Sequence, residues 1–202
     1  NAADLPPSPE KVGIMIDAIT RLSESGYHYI GMDHFAKRTD ELAKAQEEGT
    51  LQRNFQGYST KPECDMVALG VSSISKVHGC YAANPRDLPS YYEKVRSGAL
   101  ATVRGYLLND DDKLRSKVIM ELMCQFRVVK ADIEKQFGIN FNEYFDFELN
   151  NLKHFEKEGL VTLAEDAVSV TPKGKLLVRA VAMYFDRYLR EDERVRRYSR
   201  IV

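Results

Sequence analysis

The sequence predicts an α/β fold followed by an α-rich one. Apolar, aromatic runs at 27–32, 66–74 and 102–108 alternate with short helical patterns. From residue 109 the spacing turns helical, with Leu114, Val118, Ile119, Leu122, Met123 and Phe126 three to four residues apart. Residues 160–171 alternate apolar and polar around Ala164-Glu165-Asp166, as a β-hairpin does.

Taken in order, Ser8 reads as an N-cap and Pro9 as the first helical residue, since proline has no N–H to leave unsatisfied. Val12, Ile16, Ile19 and Leu22 mark that helix's face, and Gly26 ends it. Tyr27 to Met32 is a strand. Asp40-Glu41 opens a short helix that Gly49 closes, with acids at its positive end. Asn54 to Tyr58 is irregular. Met66 to Ile74 reads as a strand buried on both faces, its small Gly70, Ser72 and Ser73 admitting close approach. Lys76 to Asn84 is a loop holding His78 and Cys80. Pro85 to Gly98 holds a helix packed through Tyr91, Tyr92 and Val95.

Repeated strand-then-helix units predict the closing part of a parallel sheet or (β/α) barrel over 1–108. The Asn109-Asp110-Asp111-Asp112 cap cluster sets the boundary. Residues 109–202 form a mainly helical domain. It has a helix over Ala131–Phe137 ended by Gly138, and a helix striped by Phe141, Phe145, Leu149, Leu152 and Phe155. After the hairpin, Pro172 starts one long helix with Leu176, Leu177, Val181, Tyr184 and Tyr188 inward. That order is winged-helix-like. Arginines and acids interleave from Arg187 to Arg200, which reads as a solvated charged helix.

The 202 residues, 44% hydrophobic and 29% charged, are those of a soluble globular protein. Net charge is −1, and neither half has the basic excess of a phosphate-neutralising protein, so no nucleic-acid partner is expected. No apolar run approaches membrane length and no signal peptide opens the chain. A cytoplasmic protein without membrane contact is expected. Cys64, Cys80 and Cys124 are odd in number and far apart, which fits a reducing compartment. They and the scattered histidines lack the spacing of a metal set. Ser72, Ser73 and Ser75 lack a nucleophile elbow, and Asp33 and His34, adjacent on a strand end, should face opposite sides.

Two segments remain. Gly31-Met32-Asp33-His34-Phe35-Ala36 and Arg53-Asn54-Phe55-Gln56-Gly57-Tyr58 place polar groups at the ends of apolar runs, where α/β sheets carry ligands. The same residue types also suit turns and a satisfied core histidine, and pattern alone leaves both open.

These segments resemble two signatures of the oxygen-independent coproporphyrinogen III oxidases, radical S-adenosylmethionine enzymes of haem biosynthesis. Leu69-Gly70-Val71-Ser72-Ser73-Ile74-Ser75, Arg104-Gly105-Tyr106-Leu107-Leu108 with Asp110-Asp111, and the Tyr198-Ser199-Arg200-Ile201-Val202 ending are similar to the same family. The resemblance covers only the C-terminal part of such an enzyme. It implies that 1–108 is the last part of a radical-SAM barrel, with 109–202 covering the site. It also implies a porphyrinogen substrate, whose two propionates become vinyl groups with loss of carbon dioxide. Two S-adenosylmethionine molecules and a [4Fe–4S] cluster are implied, the cluster loop lying in a region absent here. This departs from the family's full pattern, so no catalytic or metal residue is expected in this chain, which alone should be inert. The family's contacts for the second S-adenosylmethionine fall on Gln56 and Ile74, with Phe55 beside them. Arg53 and Lys37 stand next to the motifs as cations that suit substrate carboxylates. The whole enzyme is expected as a monomer, whereas this shorter chain would dimerise through exposed sheet edges.

The alternative is a winged-helix nucleic-acid-binding or protein-interaction module over 110–190. Its recognition helix, Phe141 to Glu158, is acidic, which suits a phosphate-lined groove poorly.

Overall fold

The computed structural model describes residues 5–61 and 64–191. The expectations for Pro62, for the charged tail beyond residue 191 and for the Tyr198–Val202 ending lie outside these. The fold is mixed helix and sheet, in two compact units. One comprises the described residues up to Thr60 together with those from Lys117 onward; the other is Lys61–Ser116.

The chain begins with α1 (Ser8–Glu24), capped by Pro7 without a side-chain bond, so Ser8 is the first helical residue rather than the cap. None of its residues is fully buried, and Ile16 of the expected inner face is 48% exposed. Then β1 (Tyr27–Gly31) and β2 (His34–Lys37) pair antiparallel, with a register slip between Tyr29 and Gly31. The helix α2 (Glu41–Glu47) starts where expected, and Asp40 is its cap: Asp40 Oδ1 accepts the Leu42 N–H at 2.9 Å. Residues 52–59, expected to turn irregular from Asn54, form a second hairpin, β3 (Gln52–Asn54) with β4 (Gly57–Ser59). Ile30, Ala36, Ala43, Ala45, Leu51 and Cys124 make a small core here, with Leu42, Tyr58 and Met120 against it.

In the second unit the expected buried strand Met66–Ile74 is absent. Gly70 (φ 106°) and Ser72 (φ 60°) take left-handed conformations that no strand accommodates, and Val67 and Leu69 are exposed. The expected loop 76–84 is instead a hairpin, β5 (Ile74–Val77) with β6 (Cys80–Ala83). His78 and Gly79, both at positive φ, turn the chain between Val77 and Cys80. Two successive left-handed residues match the twist of a tight hairpin. The helix α3 (Leu88–Arg96) has its N-cap on Asp87 but buries none of its residues; Tyr92 and Val95 are exposed rather than packed. Strand β7 (Arg104–Leu107) completes a sheet ordered β5-β6-β7.

The helix α4 (Asp110–Gln125) buries Leu114, Val118, Leu122 and Met123 as its stripe predicts. Next come β8 (Arg127–Val129), α5 (Lys130–Phe137), α6 (Phe141–Tyr144), α7 (Asp146–Lys157), β9 (Val161–Leu163) and β10 (Ala167–Val170). Gly138 ends α5 in the left-handed conformation. The sheet order is β8-β10-β9. Phe145 packs between Phe141 (4.8 Å) and Phe185 (5.3 Å). The single long helix expected from Pro172 is three pieces: a 3-10 turn at Gly174–Leu177, α8 (Val178–Met183) and α9 (Arg187–Glu191). Asp186 Oδ1 accepts the Tyr188 N–H at 2.9 Å and so caps a new start. That break turns Phe185 inward and leaves Tyr188 exposed.

Every strand ladder among the described residues is antiparallel. The parallel pairing expected from the strand–helix alternation is therefore not made within these residues. Short connections, two residues between β3 and β4 and between β5 and β6, fold each strand back on its neighbour, whereas a parallel pair needs a long crossover.

Candidate functional site

The two motif segments meet in the first unit. Gly31 (φ 148°) and Met32 (φ 54°) turn β1 into β2, and Tyr29 Oη–H donates to the Met32 carbonyl at 3.0 Å. Asp33 lies in this turn rather than on a strand. Its carboxylate reaches back to His34, Oδ1 to Nδ1 2.7 Å. The expectation that the two side chains face opposite sides is thus overturned by the turn. Asp33 remains largely exposed, and this pair makes a surface contact rather than an enclosed acid–base dyad.

Across α2, the β3–β4 hairpin pairs Arg53 with Tyr58 and Asn54 with Gly57. Phe55 and Gln56 are its two loop residues. Asn54 Oδ1 accepts the Gln56 N–H at 2.8 Å, which holds the loop's backbone. Gln56 is exposed, and the Phe55 ring is 56% exposed. Arg53 donates its backbone N–H to Met120 Sδ at 3.2 Å and lays its guanidinium 4.9 Å from the Tyr58 ring centroid. Tyr58 Oη–H donates to the Met123 carbonyl at 3.0 Å. Burial pushes the Tyr58 phenol well above its usual range, against the pull of the Arg53 charge.

His34 joins the segments. Its ring meets Tyr58 edge-on at 5.0 Å, and its Nε2 stands 3.2 Å from where a Cβ on Gly57 would sit. Gly31 has the matching role, since any side chain there would run into the Tyr58 hydroxyl and come within 3.2 Å of Phe126.

Lys37 is placed differently. It lies at the open end of the β1–β2 hairpin, paired with Tyr27, three residues or roughly 10 Å along the strand from His34. Its Nζ donates to the Ser25 carbonyl at 3.3 Å and sits 3.9 Å from the Tyr27 ring. Ile74 belongs to the second unit, half-buried at the start of β5 opposite Ala83.

Sequence reasoning missed Gln46. Its Nε2 donates to the carbonyls of Ile30 (2.8 Å) and Cys124 (2.7 Å), and its Oε1 lies 2.8 Å from His28 Nε2. The signal was available as a polar residue one turn after Leu42 on the packed face of α2. Tyr58, the last residue of the second motif, was quoted only as part of the signature.

For metal, the cysteines do not fit a cluster. Cys64 is exposed, Cys80 is half-buried, and Cys124 is buried with its thiol pushed up to about 12, the reverse of a thiolate ligand. No group of three or more His, Cys, Asp or Glu among the described residues could hold a metal ion. For an organic cofactor the chemistry fits better: at Phe55–Gln56 an exposed amide with donor and acceptor adjoins a half-exposed aromatic face.

Residues 108–177 match the family model described as the HemN C-terminal domain. The whole chain is similar to the oxygen-independent coproporphyrinogen III oxidases of Escherichia coli and Pseudomonas aeruginosa, each 46% identical and covering 99% and 100% of this chain and 44% of each relative. The corresponding enzyme of Synechocystis is 42% identical over 98% of the chain. Among solved structures, coproporphyrinogen III oxidase (HemN) from Escherichia coli, a radical SAM enzyme, superimposes with a TM-score of 0.88 at 46% identity. The match covers 94% of this chain and 44% of that one. The chain thus spans under half the length of these relatives. It belongs to the oxygen-independent coproporphyrinogen III oxidase family and corresponds to the C-terminal portion of its members.

Proposed function

We propose that this chain is the C-terminal portion of a cytoplasmic, monomeric radical-SAM oxidoreductase that converts coproporphyrinogen III to protoporphyrinogen IX by oxidative decarboxylation. Identity of 46% sustained along 99% of the chain carries this reading. A bound S-adenosylmethionine and a cluster would supply the oxidising power; the cluster ligands belong outside this chain.

What this chain's residues do is bind and orient. Gln56 offers its amide to the polar groups of a second S-adenosylmethionine, and Phe55 offers an apolar face. Ile74 is proposed singly as an apolar contact of that cofactor. Arg53, whose Nη1 is buried without a hydrogen-bond partner among the described residues, is proposed to attract a substrate carboxylate. Lys37 is proposed for the same task, although the Ser25 carbonyl and Tyr27 ring already engage its ammonium.

We propose residues 1–108 as the end of the barrel region and 109–202 as a winged-helix-like domain. The family-model match beginning at residue 108 supports the division. The order α4, β8, α5, α6 with α7, then the β9–β10 hairpin, with its sheet ordered β8-β10-β9, supports the winged-helix reading. A nucleic-acid role for it is disfavoured by Asp146, Glu156 and Glu158 on or next to α7.

The test uses the full-length protein under anaerobic conditions with S-adenosylmethionine, a reductant and coproporphyrinogen III. Porphyrin fluorescence after oxidation reads the product. Formation of protoporphyrin, lowered at least tenfold by Gln56→Ala, is expected. A full-length protein that leaves coproporphyrinogen III unchanged would overturn the assignment.

A further inference from the structure

We infer that Tyr58 and His34 are positioning residues that hold Gln56 in place, so that the two motifs act as one support. The inference rests on reading Gln56 as a contact of the second S-adenosylmethionine. Gln56 lies in a two-residue loop, and the polar bond that fixes it locally is from its own N–H to Asn54 Oδ1. A loop this short takes its position from the base of its hairpin. That base is fixed by groups outside the loop. The Tyr58 hydroxyl donates to the Met123 carbonyl at 3.0 Å, and the Arg53 N–H donates to Met120 Sδ at 3.2 Å, which together seat β3 and β4 on the last turns of α4.

His34 closes the other side. It packs edge-on against Tyr58 at 5.0 Å and occupies the space beside Gly57, the residue that follows Gln56. The absence of a side chain at Gly31 opens the passage through which the Tyr58 hydroxyl reaches Met123. Gly31 and His34 of the first motif thus support Gly57 and Tyr58 of the second, and both supporting residues act through the loop.

The experiment is a double-mutant cycle in the full-length protein, read by calorimetric titration with S-adenosylmethionine below the unfolding temperature. The variants are Gln56→Ala, Tyr58→Phe and the pair. Tyr58→Phe keeps the ring and removes the hydroxyl. Its expected effect is a roughly tenfold weaker second binding equivalent, about the loss of one hydrogen bond. In the Gln56→Ala background it should cause no further loss, since it acts through that residue. Losses that multiply, or a lowered thermal midpoint with unchanged affinity, would overturn the inference and leave Tyr58 as packing alone. Should Gln56→Ala weaken binding while Tyr58→Phe does not, the cofactor reading stands and the inference fails. An unchanged affinity in Gln56→Ala overturns both. If Tyr58→Phe unfolds too readily to titrate, His34→Ala takes its place in the cycle with the same non-additivity expected.

Discussion

Cys124 is 1% exposed, and its Sγ–H points to Met120 Sδ at 3.6 Å. Burial pushes its thiol from 9.0 up to about 12, with Arg53 pulling the other way. The folded chain therefore keeps this proton where the unfolded chain loses it. Stability from this group is complete below pH 9 and is lost as pH rises from there toward 12, at no more than about 1.4 kcal/mol per pH unit. Tyr58, raised by burial from 10.0, adds to the loss with the same sign above pH 10. Thermal midpoints should hold between pH 7 and 8.5 and fall by several degrees at pH 10.5. The fall should be shallower in Cys124→Ala, and an equal slope in both proteins would reject the thiol's part. None of this was legible in the sequence. The spacing of Cys124 argues there only against a disulfide framework or a metal set, because its burial depends on residues up to 94 positions away, such as Ile30. Gln56 and Phe55 are proposed from the motif that holds them, whereas the Met123 carbonyl that anchors Tyr58 is backbone and carries no signature.

Some elements set by nearby residues were misread, such as the start of α1 at Ser8 and the β5–β6 hairpin, but others were read correctly: α2 opens after Asp40, Gly138 ends α5, and the hairpin over 160–171 forms β9 and β10. Elements set by distant partners were not. The run 66–74 has a strand's composition, yet Gly70 and Ser72 bend it, and Ser72 N–H bonds to the Pro85 carbonyl at 2.7 Å. The break after Pro172 has a comparable origin. Gly174 packs so tightly on the Leu160 carbonyl that an added Cβ would overlap its oxygen. Thr171 Oγ1 accepts the Gly174 N–H at 3.1 Å and fixes the approach. Gly174→Ala should therefore cost about 2–3 kcal/mol by overpacking. Gly13 supplies the contrast. It lies within α1, and a Cβ added there would meet nothing within 4 Å, so Gly13→Ala should stabilise by about 0.5–1 kcal/mol through helix propensity. Urea midpoints of the two variants should move in opposite directions. Equal shifts would show that the Leu160 contact is not tight.

At the scale of the whole molecule, family membership was legible because motifs from Gly31 to Asp111 are spread along the chain rather than gathered at one site. The sheet pairing was not, since an apolar run does not name its partner. What the chain lacks for the proposed chemistry follows from its thiols. A [4Fe–4S] cluster needs several thiolates converging on one volume. Here Cys64 is exposed, Cys80 is half-buried in β6, and Cys124 is enclosed with its proton held to about pH 12. The described residues contain no group of three metal-ligating side chains. Anaerobic reconstitution of this chain with iron and sulfide should therefore yield, after desalting, no broad absorbance near 400 nm and less than about one-tenth equivalent of iron. The full-length protein treated in parallel should retain about four irons per chain, the content of one such cluster. Coproporphyrinogen III should remain unchanged by the short chain and be consumed by the long one. A stable cluster on the short chain would place ligands among Cys64, Cys80 and Cys124 and would overturn the division of labour proposed for the enzyme.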